Sequence, residues 1–324
     1  MATAFWVSRA VYSAARLELA DRMAEGMHEV SELAKATGTH GPSLRRLLRT
    51  LTGLGLVTQV GEHRFALTSL GDVLRADAPG AVRGTVLSLG GDWDWRTFGE
   101  CMHSLRTGEP SFDKALGMPF FPYLAQNREE GHEFNTAMQG FFDHEPPLIA
   151  EAHDFSQFRT LVDVGGGSGN LLTSLLAANP GTKGLLYDQP HVAEDARRLI
   201  AARSLAHRCE FQAGDFFECV PSGGDAYLLS HIVHDWELSK CLKLLGNCRE
   251  AIPAHGRLYL IDGVLPEGDA PHPGKVLDWV MLNVTGGMER TEKEYAELLH
   301  QASFELTRVI STRSSSSLVE ARPI

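Results

Sequence analysis

Cysteine is scarce in this chain. There are five in 324 residues (Cys101, Cys209, Cys219, Cys241 and Cys248), odd in number and with no CxxC pair. That excludes a disulfide-stapled scaffold and suits a reduced, cytoplasmic setting. No apolar run approaches the ~18–20 residues that a membrane helix needs, so no membrane partner is expected. The opening stretch, MATAFWVSRAVYSAARLELADRM, lacks an apolar core followed by a small-residue cleavage site and does not read as a signal peptide. Basic charge is also short: 30 Lys and Arg stand against 41 Asp and Glu, a net charge of −11. An acidic surface repels phosphate backbones and anionic lipid. No GKS/T cradle is present, and none of His28-Glu29, His132-Glu133 or His144-Glu145 completes HExxH.

What is present amounts to roughly two domains, with 43% hydrophobic residues to build their cores. The charge is unevenly spread. Residues 1–90 carry 10 basic and 8 acidic residues, leaving 20 against 33 for the remainder. The apolar positions of Ala10 to Met23 fall largely on one helical face, and Val30–Ala34 opens a second helix. Gly41-Pro42-Ser43 starts a third, with Leu44, Leu47, Leu48 and Leu51 spaced for one face. Leu56–Val60 and Arg64–Thr68 then read as a β-hairpin. Three helices and a hairpin make the winged helix-turn-helix plan. Arg45, Arg46 and Arg49 on the third helix are a thin footprint for a duplex, so dimer contacts are the expected use and nucleic acid is not.

Residues 85–155 read as further helix, rich in Trp, Phe and Met that suit a core or a flat apolar ligand. From Thr160 strands and helices alternate. The strands are Leu161–Val164, Gly184–Tyr187, Cys209–Ala213, Ala226–Ser230 and Arg257–Val264, and two more follow at Glu305–Thr312 and Ser316–Ala321. This predicts an α/β fold: a doubly wound Rossmann-like sheet, with the N-terminal, mainly helical winged-helix unit before it. The domain division is placed at 1–90 and 91–324.

Asp163-Val164-Gly165-Gly166-Gly167-Ser168-Gly169 follows the first strand and opens a helix. Its glycines fall as G-x-G-x-G, whereas a dinucleotide fingerprint wants G-x-G-x-x-G. A carboxylate at Asp163 repels a pyrophosphate and suits a cationic ligand. Asp188, 25 residues on, ends the second strand, where a carboxylate takes ribose hydroxyls. In Gly214-Asp215-Phe216, Asp215 is placed to accept from an adenine amino group while Phe216 lies on the ring. Three acids without a basic phosphate clamp describe adenosine bearing a positive amino-acid tail, which is S-adenosylmethionine.

Ser230-His231-Ile232-Val233-His234-Asp235-Trp236 leaves the fourth strand. His231 and His234 with Asp235 lack an obvious third ligand, so no metal is expected. His231, nearer the strand, reads as packed or polar-capping. His234 is the better general base, because imidazole titrates near neutral pH. Asp262 and Glu289 are the candidates to orient it.

LVDVGGGSG, YDQPHV, GDFFE, HIVHDW, LIDGVLP and GGMERTEKEY, in that order, resemble the small-molecule O-methyltransferases of the caffeate-methyltransferase type. The N-terminal unit resembles that family's winged-helix dimerisation domain, and the resemblance spans essentially the whole chain. It implies a homodimer, S-adenosylmethionine held by the glycine loop (Gly165, Gly167, Gly169), Asp188, Asp215 and Phe216, and S-adenosylhomocysteine as product. It implies His234 as base between Asp262 and Glu289, with Asp235 near the acceptor. Phe134, Met138 and Met281 match acceptor-lining positions. Ser230 stands on the cofactor side where the family usually has Lys, and Asp262 is one methylene shorter than the usual Glu. The implied reaction is deprotonation of a small aromatic hydroxyl, phenolic, polyketide or phenazine-like, and its methylation in secondary metabolism such as antibiotic biosynthesis. Some relatives keep the cofactor but hydroxylate, decarboxylate or run pericyclic chemistry; the retained His234-Asp235 and flanking acids argue against that here.

Overall fold

The computed structural model describes residues 1–78 and 80–324. These form two compact units: Met1–Glu100 with Lys114–Phe142, and Cys101–Asp113 with Asp143–Ile324. A single cut at residue 90 does not reproduce that division, because the helices at 120–142 associate with the N-terminal residues. Among the described residues no helix is long and apolar enough to cross a membrane.

The first unit opens with helices Ala4–Arg16 and Leu19–Ala24. The face read as continuous over 10–23 is broken at Glu18, which adopts a left-handed φ of 55°. That conformation is unfavourable for a residue with a Cβ. Here Arg22 and Arg83 donate to the Glu18 carboxylate at 2.9 and 3.0 Å. Helix Val30–Thr37 starts on a capping box formed by Glu29 and Glu32, and helix Gly41–Gly53 carries Pro42 in its first turn. β1 (Val57–Gly61) and β2 (Arg64–Leu67) pair antiparallel as the wing. Leu33, Leu44, Leu48, Leu51 and Phe65 are buried at the centre, while Arg46 and Arg49 are exposed. Helices Asp92–Gly99, Phe120–Gln126 and Arg128–Phe142 belong to the same unit, with Phe120 ringed by Trp93 at 5.3 Å and Phe134 at 5.0 Å.

The second unit is built on a seven-stranded sheet. Its strands are β3 (Thr160–Val164), β4 (Lys183–Asp188), β5 (Cys209–Ala213), β6 (Ala226–Ser230), β7 (Arg257–Asp262), β10 (Phe304–Ser311) and β11 (Ser317–Pro323). β8 (Val264–Leu265) and β9 (Arg290–Thr291) form a separate short parallel pair, because Gly263 ends the long strand read over 257–264. The order is β10-β11-β7-β6-β3-β4-β5; the five strands from β7 to β5 are parallel, and β11 runs antiparallel to both β7 and β10. Strand order reverses beside β3, and the carboxyl ends of β3 and β6 flank that switch point, where such sheets bind ligands. The near-continuous apolar character of β3, β6 and β7 follows from burial of both faces. Val162, Leu229 and Leu260 pack one way with Leu244 and Leu245, and Leu161, Leu228 and Ile261 the other way with Leu172 and Leu176. Leu228 is 0% exposed in the central strand, so Leu228→Ala removes packing that cannot collapse. Its expected cost is about 2–5 kcal/mol, read as a lower urea midpoint for the second unit.

Candidate active site

The glycine loop owes its shape to close approaches. Gly165, Gly167 and Gly169 take φ of 75°, 57° and 88°, the left-handed region that favours glycine. A Cβ on Gly166 would lie 2.4 Å from Asp163 Oδ2. Asp163 itself is 0% exposed, with neither carboxyl oxygen hydrogen-bonded. It therefore underlies the loop and does not line it. Burial and the nearby Asp188 charge push its pKa up to about 7. Gly167 is different: nothing lies within 4 Å of where its Cβ would be, so bare backbone faces open space.

Asp188 ends β4 beside this loop. Its Oδ2 accepts from the Gly167 amide at 2.7 Å and its Oδ1 from the Gln189 amide at 2.6 Å. Burial raises its pKa against those two bonds. Each oxygen keeps a second lone pair, which suits a vicinal diol. Gly214 is required because a Cβ there would meet the Tyr187 hydroxyl at 2.2 Å. Exposed Asp215 accepts from the Phe217 amide at 2.8 Å, and half-buried Phe216 packs toward Gly165 and Trp236. Ser230 is half-buried at the end of β6. The loop, Asp188, Asp215 and Phe216 thus collect at one sheet edge. Open backbone, a diol acceptor and an adjacent ring fit an adenosyl group.

His234 lies in the 3-10 turn Val233–Asp235 after β6 and is buried. Gly287 makes that turn possible, since a Cβ on it would sit 1.9 Å from the His234 carbonyl oxygen, and the Met288 amide donates to the same oxygen at 2.9 Å. His234 Nδ1 lies 2.6 Å from Glu289 Oε1 and 3.7 Å from Asp262 Oδ1; Nε2 lies 3.8 Å from Asp235 Oδ1. Glu289 therefore holds the imidazole, and the shorter Asp262 side chain acts on it through charge. Burial pulls the His234 pKa down, but Asp262, Asp235 and Glu289 outweigh it and raise it to about 10. Burial pushes Asp262 up to about 8 and Asp235 up to about 6, the His234 charge opposing both.

Three members of this cluster had weak or no sequence signals. His231 does not simply pack: its Nε2 lies 2.7 Å from Glu145 Oε2, and its Nδ1 lies 4.0 Å from Asp262 Oδ1. Glu145, at the start of helix Glu145–Ala152, is 86 positions away and carries no motif. Arg290 is buried and donates to the carbonyls of Val233 and Met288 at 3.2 and 3.1 Å, tying the His234 turn to β9. Its place in GGMERT was the available signal. His231, His234 and Asp262 offer atoms within 4.8 Å of one another, a spacing that an ion can bridge. His234 Nδ1 is already at hydrogen-bond distance from Glu289. Met281 is buried on helix Pro273–Val284 of this unit, whereas Phe134 and Met138 are half-buried in the first unit.

Comparison with known proteins shows which family the chain resembles. Residues 1–77 match the O-methyltransferase dimerisation domain, and residues 95–305 match the O-methyltransferase domain. The chain is 40% identical over 324 residues to the phenazine O-methyltransferase PhzM of Lysobacter antibioticus, covering 100% of this chain and 95% of that protein. It is 38% identical over 304 residues to a mitomycin biosynthesis 6-O-methyltransferase of Streptomyces lavendulae, covering 94% and 87%. The crystal structure of NcsB1 from neocarzinostatin biosynthesis, in complex with S-adenosylmethionine and 2-hydroxy-5-methyl naphthoic acid, superposes with a TM-score of 0.87. That match is 33% identical and covers 98% of this chain and 96% of the other.

The cluster around His234 makes a prediction that needs no ligand. In the 15N-histidine-labelled full chain, the His234 imidazole titrates far above the ~6.5 of a free side chain. Glu289→Gln removes an anion that favours the charged ring, so its midpoint falls. An unchanged midpoint in that variant rules out Glu289 as its partner.

Proposed function

This chain belongs to the O-methyltransferase family and is an S-adenosylmethionine-dependent enzyme, and we propose that His234 is the base with which it methylates a hydroxyl of a small, flat aromatic metabolite. The observation that carries this reading is the 2.6 Å contact between His234 Nδ1 and Glu289. With Nδ1–H donated there, the neutral ring has its lone pair on Nε2. When bound, S-adenosylmethionine supplies an electrophilic methyl group on a cationic sulfur.

This chain's own residues do the rest. The backbone at Gly165–Gly169 and Asp188 seat the adenosyl and ribose portions, with Asp215 and Phe216 on the base and Ser230 at the same edge. Nε2 of His234 takes the acceptor's hydroxyl proton, and Glu289, Asp262 and Asp235 stabilise the imidazolium that results. The three acids bring the imidazole to about 10, close to a phenol's own ~10, so the transfer is nearly balanced. Because this base is held protonated in the free cluster, the rate rises with pH until the cluster gives up that proton.

The relatives bearing phenazine and naphthoate names support a fused aromatic acceptor, and Met281 offers an apolar contact in the catalytic unit. Phe134 and Met138 are carried as acceptor-lining residues on the family resemblance. A homodimer through the first unit is supported by the matched dimerisation domain and by the exposed Phe5, Trp6, Val7 and Trp95, an apolar group of the kind that marks an interface. Five free cysteines support a cytoplasmic location.

His234→Ala is expected to lower kcat by about 10²–10⁴-fold on a hydroxyphenazine or hydroxynaphthoate. Binding of S-adenosylhomocysteine, read by calorimetry, survives in that variant. Near-wild-type turnover overturns the assignment, and label staying on the cofactor while the substrate changes overturns methyl transfer itself. Asp188→Asn replaces a charged acceptor, and we expect S-adenosylhomocysteine to bind about ten-fold more weakly or worse.

A further inference from the structure

Burying a carboxyl without a hydrogen-bond partner is costly, and such groups call for a reason. Asp262 is one: it is 0% exposed, and neither Oδ1 nor Oδ2 has a hydrogen bond. His234 Nδ1 at 3.7 Å and His231 Nδ1 at 4.0 Å face it, and Glu289, Asp235 and Arg290 add their charges. Tyr295 and Cys241 complete the titratable groups around it. His234 Nδ1 is committed to Glu289. His231 is not: its committed nitrogen is the other one.

Glu145 accounts for that. Its Oε2 lies 2.7 Å from His231 Nε2, and its Oε1 accepts from Ser316 Oγ at 2.8 Å. Burial opposes ionisation of Glu145, but the bonds from His231 and Ser316 outweigh it and hold the carboxyl below its ordinary range. Burial lowers the His231 pKa, so the ring is the neutral donor to an ionised acid. The backbone at His231 is left-handed, with φ of 54°, and its amide donates to the Ile261 carbonyl at 2.9 Å. Such a conformation persists only where surroundings over-determine it. With Nε2–H donated to Glu145, Nδ1 is the unprotonated nitrogen of the ring, 4.0 Å from Asp262 Oδ1 and beyond hydrogen-bond reach. Its partial negative charge at that distance disfavours an ionised Asp262.

We propose that His231, clamped by Glu145, is a positioning residue that raises the proton affinity of Asp262 and, through Asp262, sets how readily His234 releases its proton. A neutral Asp262 withdraws one of the charges that hold the proton on His234. Burial is the first cause of the rise of Asp262 to about 8, and the His231 nitrogen acts in the same direction. The proposal rests on reading His234 as the base.

The test is the Asp262 carboxyl titration in the 13Cγ-aspartate-labelled full chain, its signal assigned by its loss in Asp262→Asn. His231→Gln keeps an N–H for Glu145 and removes the acceptor facing Asp262. We expect the midpoint to fall there by about one unit, a ten-fold change in proton affinity. His231→Asn puts an amide oxygen where Nδ1 stood and tolerates the left-handed backbone, so it recovers part of that loss. The His234 midpoint rises in His231→Gln but does not when Asp262→Asn is already present. An unmoved Asp262 midpoint in His231→Gln, an equal fall in both His231 variants, or a His234 shift that persists without Asp262 overturns the proposal. These readouts need no turnover. Failure of His234 as base, seen as near-wild-type turnover by His234→Ala, is thus a separate result.

Discussion

The catalytic unit depends on putting carboxylates around a buried imidazole. Water is excluded from His234, so its charge state is governed by what the fold places beside it: Glu289 at 2.6 Å, Asp262 at 3.7 Å and Asp235 at 3.8 Å. Like charges packed together repel; the imidazole charge opposes this at Asp262 and Asp235, and Arg290 does so at Asp262. The histidine rises because the acids surround it, and Asp262 and Asp235 rise because burial outweighs the imidazole charge beside them.

Holding that cluster requires backbone that leaves no room for side chains. Gly287 lets the segment before β9 touch the His234 carbonyl, and Arg290 ties the same segment to Val233. Gly166 likewise lets the nucleoside loop lie on the buried Asp163. Both arrangements sit at the carboxyl ends of the central strands, so the parallel sheet brings the glycine loop after β3 and His234 after β6 to one edge. The two halves of the site are then a few residues' reach apart without any special connection between them.

Much of this was legible beforehand, for physical reasons. The continuous apolar runs marked β3 and β6 within a residue, and helix 41–53 was fixed by Pro42 and the Leu44, Leu48, Leu51 spacing. The first helix was misjudged because Glu18, an ordinary helix former, takes a left-handed turn supported by Arg83, 65 residues later. The strand read through residue 264 stops at Asp262 because the chain leaves the sheet at Gly263 to pair briefly with Arg290 and Thr291. Asp163 was read as facing a cationic ligand, and the fold buries it under the loop instead.

The sequence by itself determined the classes of chemistry available here. The glycine spacing, the strand-end acids and the HDW turn are local features, set by residues close in the chain, and they are what the proposal of an adenosyl ligand and a histidine base starts from. Tertiary structure alone decided which acid holds His234 and what surrounds the rest of the cluster. Glu289 lies 55 positions from His234, and Glu145 lies 86 from His231. No periodicity or spacing encodes such distances, because hydrogen bonds of 2.6–2.7 Å depend on how β6, β7 and the helix at 145 pack, and that packing is a property of the whole core.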